Sequence, residues 1–121
     1  MCYINQIASF KHAMNGFSIL FSKEKNFKIH LALAIIACTL AVILNINSTE
    51  WFMVLLCIGA VLSAEALNTS IELICNKVEP NYSETIKSTK DIAAFAVLSI
   101  SIVSFIIGLI IFLPKIYSLL F

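Results

Sequence analysis

The sequence contains no arginine, so its basic residues are eight lysines. Arginine supplies the planar fork that binds phosphates in a bidentate manner, and nucleic acids are bound by surfaces of clustered positive charge. The net charge of the chain is only +1, which provides no such surface. We therefore expect no nucleic-acid partner.

Glycine and paired cysteines are also scarce. Only three glycines are present, and the sequence has neither a Walker A motif nor a kinase glycine-rich loop. No C-x-x-C pair and no histidine at zinc-binding spacing accompanies the cysteines, which are Cys2, Cys38, Cys57 and Cys75. We expect no zinc site. We also expect no cleavable signal peptide, because no basic segment followed by an apolar core opens the sequence.

Charged residues make up 12% of the chain, whereas 60% of its residues are hydrophobic. A soluble domain contains about 25% charged residues on average. A chain of 121 residues has too small an interior to hide so much apolar surface from water. The excess must face lipid, and we expect one integral membrane domain over residues 1–121.

Three apolar stretches are long enough to cross a bilayer as helices, which requires about 20 residues each. They cover approximately residues 27–46, 51–75 and 91–113, and Pro114 is expected to end the third. Isolated strands would leave backbone groups unpaired in lipid. The sequence therefore predicts an all-α fold with three transmembrane helices, separated by turn signals at 45–48 and 79–82.

Residues 1–22 have a different pattern, in which apolar side chains recur at helical spacing between polar ones. The apolar positions are Ile4, Ile7, Ala8, Phe10, Met14, Phe17 and Phe21. This pattern predicts an amphipathic helix lying in the membrane interface. The alternative is a helix that packs on a partner subunit.

The lysines predict the orientation of the chain in the membrane. Four lie before or at the start of the first span (Lys11, Lys23, Lys25 and Lys28) and three lie between the second and third, whereas the first connection has none and the C-terminal tail has only Lys115. Under the positive-inside rule, the N-terminus and the second connection face the cytoplasm. Trp51 then lies at the opposite interface.

The second span carries a polar stripe of Glu65, Asn68, Glu72 and Asn76, which fall within about 80° of one another on a helix. A carboxylate at membrane depth is costly unless it is neutral, paired or facing a polar cavity. Two glutamates on one face therefore predict a wet, metal-holding crevice. The alternative is a polar stripe that only holds helices together in lipid.

Further charged residues are expected at the same cytoplasmic interface, namely Glu24, Lys28, Lys90 and Asp91. Acidic oxygens suit a hard cation such as Mg²⁺, and a lysine supplies a point charge for a phosphate. Taken singly, each such charge is more often an anchor that reaches for the headgroup region. Their convergence favours a phosphate-handling site.

Four segments in this order carry a resemblance to a known family: SFKHAMNGF, EKNFKIHL, EALNTSIE and KDIAAFAVL. Together they cover nearly the whole chain, and it resembles the prokaryotic diacylglycerol kinase family, which includes the undecaprenol kinases of Gram-positive bacteria. The resemblance implies a homotrimer of three-span subunits in the bacterial cytoplasmic membrane, with an N-terminal surface helix and active sites shared between subunits. The implied reaction transfers the γ-phosphoryl group of MgATP to a lipid hydroxyl, in phospholipid synthesis or in recycling of a cell-wall lipid carrier.

The resemblance also implies roles for individual residues. Glu65 matches the general base, and Glu24 and Glu72 match the acids that hold Mg²⁺ on the triphosphate. The implied ATP contacts are His12, Glu24, Glu72, Asn81, Tyr82, Ser83, Lys90 and Asp91. Asn68 matches an orienting amide beside the base, and Phe27 and Trp51 join Glu65 and Asn68 as expected substrate-positioning residues.

The chain departs from the family pattern at three positions. Asn76 replaces a usual acid, His12 replaces a usual aromatic residue, and Asn5 replaces a basic nucleotide contact. None of these changes removes the base or a metal ligand, so we expect activity.

The acceptor lipid, diacylglycerol or undecaprenol, stays open at this point, as does a second class of function. A non-enzymatic oligomeric subunit or small transporter with intramembrane carboxylates would place its acids near the middle of the membrane. The predicted clustering of charges at one interface disfavours that alternative.

Overall fold

In the computed structural model, residues 6–121 are described, and they form four α-helices. These are α1 (Gln6–Lys23), α2 (Lys25–Ile43), α3 (Ser48–Val78) and α4 (Glu84–Leu120). The all-helical fold predicted from the sequence is confirmed. The predictions made for Cys2, Ile4 and Asn5 lie outside the described residues.

Helices α2, α3 and α4 are each long and apolar enough to cross a membrane, with mean hydropathies of 1.9, 1.8 and 2.9 over their most apolar windows. The 19 residues of α2 span about 28 Å, close to the hydrocarbon thickness of about 30 Å. The 31 and 37 residues of α3 and α4 make these helices longer than that thickness. Three membrane-spanning helices were expected, and three are found within residues 6–121.

Helix α1 has no buried residue and contacts the rest of the chain mainly through aromatic rings. The ring of Phe17 packs edge-on against Phe27 of α2, with their centroids 5.6 Å apart. Between the two helices Glu24 has an extended backbone, at φ −107° and ψ 111°, which interrupts the helical path. Interfacial placement of α1 stays a prediction.

The connection between α2 and α3 is a Schellman motif built on an asparagine. Asn45 adopts a positive φ of 55°, a conformation that asparagine tolerates better than most residues. The backbone N–H of Ile46 donates to the carbonyl of Ala41, and that of Asn45 donates to Val42, both at 3.2 Å. Both Ile46 and Ala41 are buried, so the turn also makes the apolar contact that accompanies this motif.

Helix α3 begins with a capping box. The side chain of Asn47 accepts a hydrogen bond from the N–H of Glu50 at 2.9 Å, and the Glu50 carboxylate accepts one from the N–H of Asn47 at 3.1 Å. The same Glu50 carboxylate lies 3.2 Å from the ammonium group of Lys115 on α4. The tight connection is thereby tied to the distal end of α4.

Helix α4 continues through Pro114 to Leu120, whereas the sequence predicted an end at Pro114. A proline costs a helix one backbone hydrogen bond, yet helices in membranes accommodate it when neighbouring groups compensate. The ion pair of Lys115 with Glu50 and the contact between Tyr117 and Phe121, whose ring centroids are 5.0 Å apart, hold the segment after the proline.

The buried apolar core lies near the α2–α3 connection. It consists of Ala41, Ile46, Val54 and Ile111, and Trp51 packs against it. Helix α3 makes most of its helix–helix contacts with α4 and fewer with α2. The core holds one end of the bundle together, which leaves the opposite end for the polar residues of α3.

Candidate active site

Glu65 is the most buried charged residue among those that the structure describes, with 4% of its surface exposed. Its Oε1 lies 3.1 Å from Nε2 of His30 on α2. A buried carboxylate requires such a partner, because an unpaired charge away from water is strongly unfavourable. The pair therefore joins α2 to α3 at the end of the bundle opposite the apolar core.

The depth of Glu65 follows from helix geometry. It comes 17 residues after Ser48, the first residue of α3, which is about 26 Å along the helix axis. With Ser48 at one membrane surface, Glu65 lies just inside the opposite edge of a hydrocarbon layer about 30 Å thick. Glu72, two turns further on, lies beyond that edge. From this geometry we expect the two acids at one interface and not at the middle of the membrane.

Two further carboxylates approach Glu65. Glu24, at the break between α1 and α2, and Glu72 on α3 both lie near enough for their charges to act on Glu65. Glu24 and Glu72 are each half-buried. Glu24 and Glu72, for which the resemblance implies metal binding, therefore lie within electrostatic range of Glu65, for which it implies the role of base.

Asn68 contacts Glu72 and makes no described hydrogen bond to Glu65. Its amide Nδ2 donates to Oε1 of Glu72 at 3.0 Å, one helical turn away. The carbonyl Oδ1 of Asn68 is buried and has no protein partner among the described residues. The Asn68 amide therefore contacts a predicted metal ligand, whereas the side chain that contacts the Glu65 carboxylate is that of His30.

Lys90 connects α4 to the same end of α3. Its ammonium group donates to Oδ1 of Asn76 at 2.6 Å, and Asn76 lies one turn beyond Glu72. Asp91 pairs instead with Lys87 at 2.7 Å on the exposed face of α4. Of these two expected ATP contacts, Lys90 is the one that faces α3.

The expected nucleotide contacts in the loop and on α1 are exposed or lie at helix ends. Tyr82 is 77% exposed, and the N–H of Asn81 donates to the Glu79 carboxylate at 3.3 Å. Ser83 precedes α4 without forming a side-chain cap, and His12 is exposed on α1. No described hydrogen bond or ion pair of the three loop residues 81–83 involves Glu24, Glu65 or Glu72.

Phe27 and Trp51, expected to position the substrate, lie in different places. Phe27 is buried with 3% exposure against Phe17, three residues after Glu24 on α2. Trp51 packs on the apolar core, about 21 Å along α3 from Glu65. Phe27 is therefore close in the chain to the acids, whereas Trp51 belongs to the other end of the bundle.

Glu24 and Glu72 offer oxygen atoms of the kind that Mg²⁺ prefers as ligands. Within residues 6–121, no three His, Cys, Asp or Glu side chains converge as a preformed metal site. Mg²⁺ is commonly held by one or two carboxylates together with water and substrate phosphates, so a complete protein cage is not required. Glu24 and Glu72 are hard oxygen donors, and Glu72 is already oriented by Asn68. These residues fit a magnesium ion that arrives with a nucleotide.

His30 was missed in the sequence, although a signal for it was present. It is an ionisable residue directly at the start of the first apolar stretch, and such residues in membrane segments usually have a functional partner. Its contact with Glu65 depends on how α2 and α3 pack, which the sequence of either helix alone does not show.

An apolar groove of about 560 Å³ lies between α2, α3 and α4. His30 lines it, and its other walls include Ala37, Val61, Phe105 and Phe112. Such walls suit a hydrocarbon chain and offer little to a water-soluble substrate. The groove therefore brings an apolar surface to the residue that contacts Glu65.

Comparison with known proteins gives consistent results. The family model named prokaryotic diacylglycerol kinase matches residues 11–112. An undecaprenol kinase of Bacillus subtilis (strain 168) is 37% identical over 107 residues, which cover 88% of this chain and 87% of that protein. A diacylglycerol kinase of Synechocystis is 33% identical over 117 residues, which cover 96% of this chain and 67% of that protein.

Proposed function

The chain belongs to the prokaryotic diacylglycerol kinase family, and we propose that it transfers the γ-phosphoryl group of MgATP to the hydroxyl group of a membrane lipid alcohol. The observation that carries this proposal is the buried Glu65, which lies near the charges of Glu24 and Glu72 on a membrane-spanning helix. Phosphoryl transfer depends mainly on positioning and on neutralisation of charge. A base, two metal-binding acids and a lysine supply these requirements.

Glu65 acts as the general base. Its depth of about 26 Å along α3 matches the level at which the hydroxyl of a lipid alcohol lies when its hydrocarbon tail is in the membrane. The carboxylate takes the hydroxyl proton as the lipid oxygen attacks the γ-phosphorus and ADP leaves. Burial excludes water from the carboxylate, which favours phosphorylation of the lipid over hydrolysis of ATP.

Glu24 and Glu72 would hold Mg²⁺, with Asn68 keeping the Glu72 carboxylate oriented. A bound magnesium ion would offset the negative charge of the triphosphate. The two carboxylates come from the α1–α2 break and from α3, so binding of the nucleotide also bridges these elements.

Lys90 is the ATP contact that the geometry supports best. Its ammonium group is anchored on α3 by the amide of Asn76, one turn from Glu72. Because Asn76 is neutral, the positive charge of Lys90 is not cancelled by this partner and stays directed toward a phosphate. The roles of Asp91, His12 and the loop residues Asn81, Tyr82 and Ser83 rest on their match to the family pattern.

For the acceptor, we favour undecaprenol and keep diacylglycerol as the second candidate. The more similar of the two relatives above is named for undecaprenol, and the other is named for diacylglycerol. The apolar groove beside His30 supports a lipid acceptor of either kind. The product would serve lipid-carrier recycling in the first case and phospholipid synthesis in the second.

The proposal extends to orientation and assembly. The N-terminus and the site face the cytoplasm, in agreement with the lysine distribution and with the location of ATP. The chain forms a homotrimer with shared active sites, as its family resemblance implies. In support of this assembly, large apolar side chains are exposed along α2, α3 and α4, including Leu56, Phe105 and Ile110.

A phosphorylation assay tests the proposed function. The purified chain is incubated with γ-labelled ATP and Mg²⁺ in mixed micelles that contain undecaprenol, diacylglycerol or neither lipid. We expect a labelled lipid phosphate with one or both acceptors, more with undecaprenol, and none after chelation of the metal. A folded protein that labels neither lipid would overturn the proposal and favour a non-enzymatic subunit or transporter.

A further inference from the structure

We propose that His30 is a positioning residue that holds Glu65 in the orientation needed to accept a proton. This inference rests on the proposed lipid kinase activity and assigns a new residue to that reaction. It starts from the distance of 3.1 Å between Nε2 of His30 and Oε1 of Glu65, which is the only described side-chain contact of the Glu65 carboxylate among residues 6–121.

The geometry divides the two carboxylate oxygens between two tasks. Oε1 lies 3.1 Å from Nε2 of His30, so Oε2 is left to meet the acceptor hydroxyl. A carboxylate held by one close polar partner has a defined plane, whereas one without a partner can rotate about its terminal bond. His30 therefore selects which oxygen faces the substrate.

The surroundings of the pair make this bond important. Glu24 and Glu72 place negative charge near Glu65, and Glu65 is removed from water. A single N–H donor in such a place is worth more than one on the surface, because the low dielectric strengthens it. Without His30, Glu65 would turn away from its negative neighbours toward water, and its base oxygen would leave the acceptor.

His30 also links the base to the groove. About a quarter of its side chain is exposed, compared with 5% for Glu65, and the exposed part lines the apolar groove between α2, α3 and α4. The imidazole thus contacts Glu65 on one side and borders an apolar channel on the other. A lipid tail that occupied the groove would bring its headgroup end to the pair.

The reaction step balances without any change in the protonation of His30. The acceptor hydroxyl gives its proton to Oε2 of Glu65, its oxygen forms a bond to the γ-phosphorus, and the bond between that phosphorus and the departing ADP oxygen breaks. The contact between Nε2 of His30 and Oε1 of Glu65 is kept before and after the transfer. Its contribution is orientation, which differs from a proton relay.

Three substitutions of His30 separate positioning from packing. His30→Gln carries an amide N–H that reaches approximately the position of Nε2, His30→Asn carries the same donor on a shorter side chain, and His30→Leu carries none. We expect His30→Gln to keep kcat within about threefold of the original chain. We expect His30→Asn and His30→Leu to lower kcat about 100-fold, since a misplacement of about 1 Å can cost that much.

The KM for MgATP should change by less than about twofold in all three variants, because His30 does not touch the nucleotide. Thr39→Ala is the matched control, since Thr39 is exposed on the same helix as His30, donates to the carbonyl of Ile35 and does not line the groove, so kcat is expected to stay unchanged. Each variant is compared at equal amounts of folded protein, judged by its thermal unfolding midpoint in detergent.

The outcomes distinguish this inference from the proposed function. If the original chain phosphorylates lipid and folded His30→Asn or His30→Leu retains full kcat, His30 does not position the base. Equal impairment of His30→Gln and His30→Leu would likewise overturn the proposal, because a donor at the same place would then not suffice. Absence of activity in the original chain would remove both the function and this inference.

Discussion

Glu65 is buried, and a negatively charged carboxylate is energetically costly in a buried position. The residue is almost wholly enclosed and has two acidic neighbours, and within residues 6–121 its carboxylate has one described polar partner, His30. Such an arrangement does little for stability, because a desolvated ion pair recovers only part of what it loses to water. Under the proposed function, its value lies in holding a base where a lipid hydroxyl can reach it.

A prediction for Asn68 tests the orientation of a metal-binding acid. Asn68→Ala removes the amide that donates to Glu72 at 3.0 Å. A hydrogen bond to a charged group is worth roughly 1.5–3 kcal/mol, so we expect the KM for MgATP to rise at least about tenfold, with a smaller change in kcat. Initial rates measured over a range of MgATP concentrations give both constants.

Ser70→Ala serves as the control for Asn68. Ser70 lies on the exposed side of the same helix and donates only to the carbonyl of Ala66. We expect its kinetic constants to stay within about twofold of the original. If Ser70→Ala and Asn68→Ala behave alike, the contact between Asn68 and Glu72 has no role in binding the nucleotide.

A prediction for Lys90 concerns the phosphates directly. Lys90→Gln keeps a hydrogen-bonding group near Asn76 but removes the positive charge. We expect the affinity for MgATP, measured by calorimetry or by KM, to fall about tenfold, as a point charge is lost from the triphosphate site. Lys25→Gln, on the exposed first turn of α2, is the matched control and should leave the affinity unchanged.

The identities of the acids could be predicted from the sequence, whereas their partners could not. Glu65 and Glu72 stood out because a carboxylate is costly in an apolar segment. The contacts of Glu65 with His30 and of Lys90 with Asn76 join residues on different helices. They depend on the rotation of each helix about its axis, and no spacing within one helix encodes that rotation.

At the scale of elements, the connection between α2 and α3 controls how these helices meet. Three features stabilise this connection, namely the positive φ of Asn45, the capping box of Asn47 with Glu50, and the ion pair of Glu50 with Lys115. The short turn fixes α2 beside α3 at one end. His30 and Glu65 then meet at the other end because both helices extend from this point.

Substitutions of Asn45 test the turn by its backbone conformation. A β-branched residue in the left-handed region costs about 1–2 kcal/mol, whereas glycine adopts it freely. We expect Asn45→Val to lower the unfolding midpoint in detergent and Asn45→Gly to leave it unchanged or to raise it slightly. Equal midpoints for the two variants would mean that this turn does not contribute to the stability of the bundle.

Sequence patterns predicted the existence of the helices better than their ends. The turn signals near Asn45 and Pro80 mark the two connections, as the structure confirms. The sequence predicted that α4 ends at Pro114, but the helix continues to Leu120. The prediction considered only the hydrogen bond that proline removes from its own helix. The ion pair of Lys115 with Glu50, which supports the part of α4 after the proline, involves a residue of α3.

At the scale of the whole molecule, the buried apolar core and the acidic residues occupy separate places along the bundle. Composition alone predicted a membrane protein, since so much apolar surface cannot be buried in a chain of this size. The structure adds that the apolar core and the acidic cluster lie at opposite ends of α3. Under the proposed function, a lipid substrate would enter from the membrane while a nucleotide approaches from water.

The proposed assembly gives a prediction about mass. We expect the purified protein in detergent to have a protein mass of three chains of 13.4 kDa each, measured by light scattering with correction for the detergent. The exposed apolar faces of the helices provide the surface for such contacts. A monomeric mass in preparations that phosphorylate lipid would show that an active site does not require a second subunit.

The central claim is that Glu65 is the base of a lipid kinase, and Glu65→Gln tests it most directly. The substitution keeps the size and a hydrogen-bonding group but cannot accept the acceptor proton. We expect kcat to fall at least about 100-fold, with the unfolding midpoint and the affinity for MgATP nearly unchanged. A folded Glu65→Gln protein that phosphorylates lipid at the original rate would contradict the account.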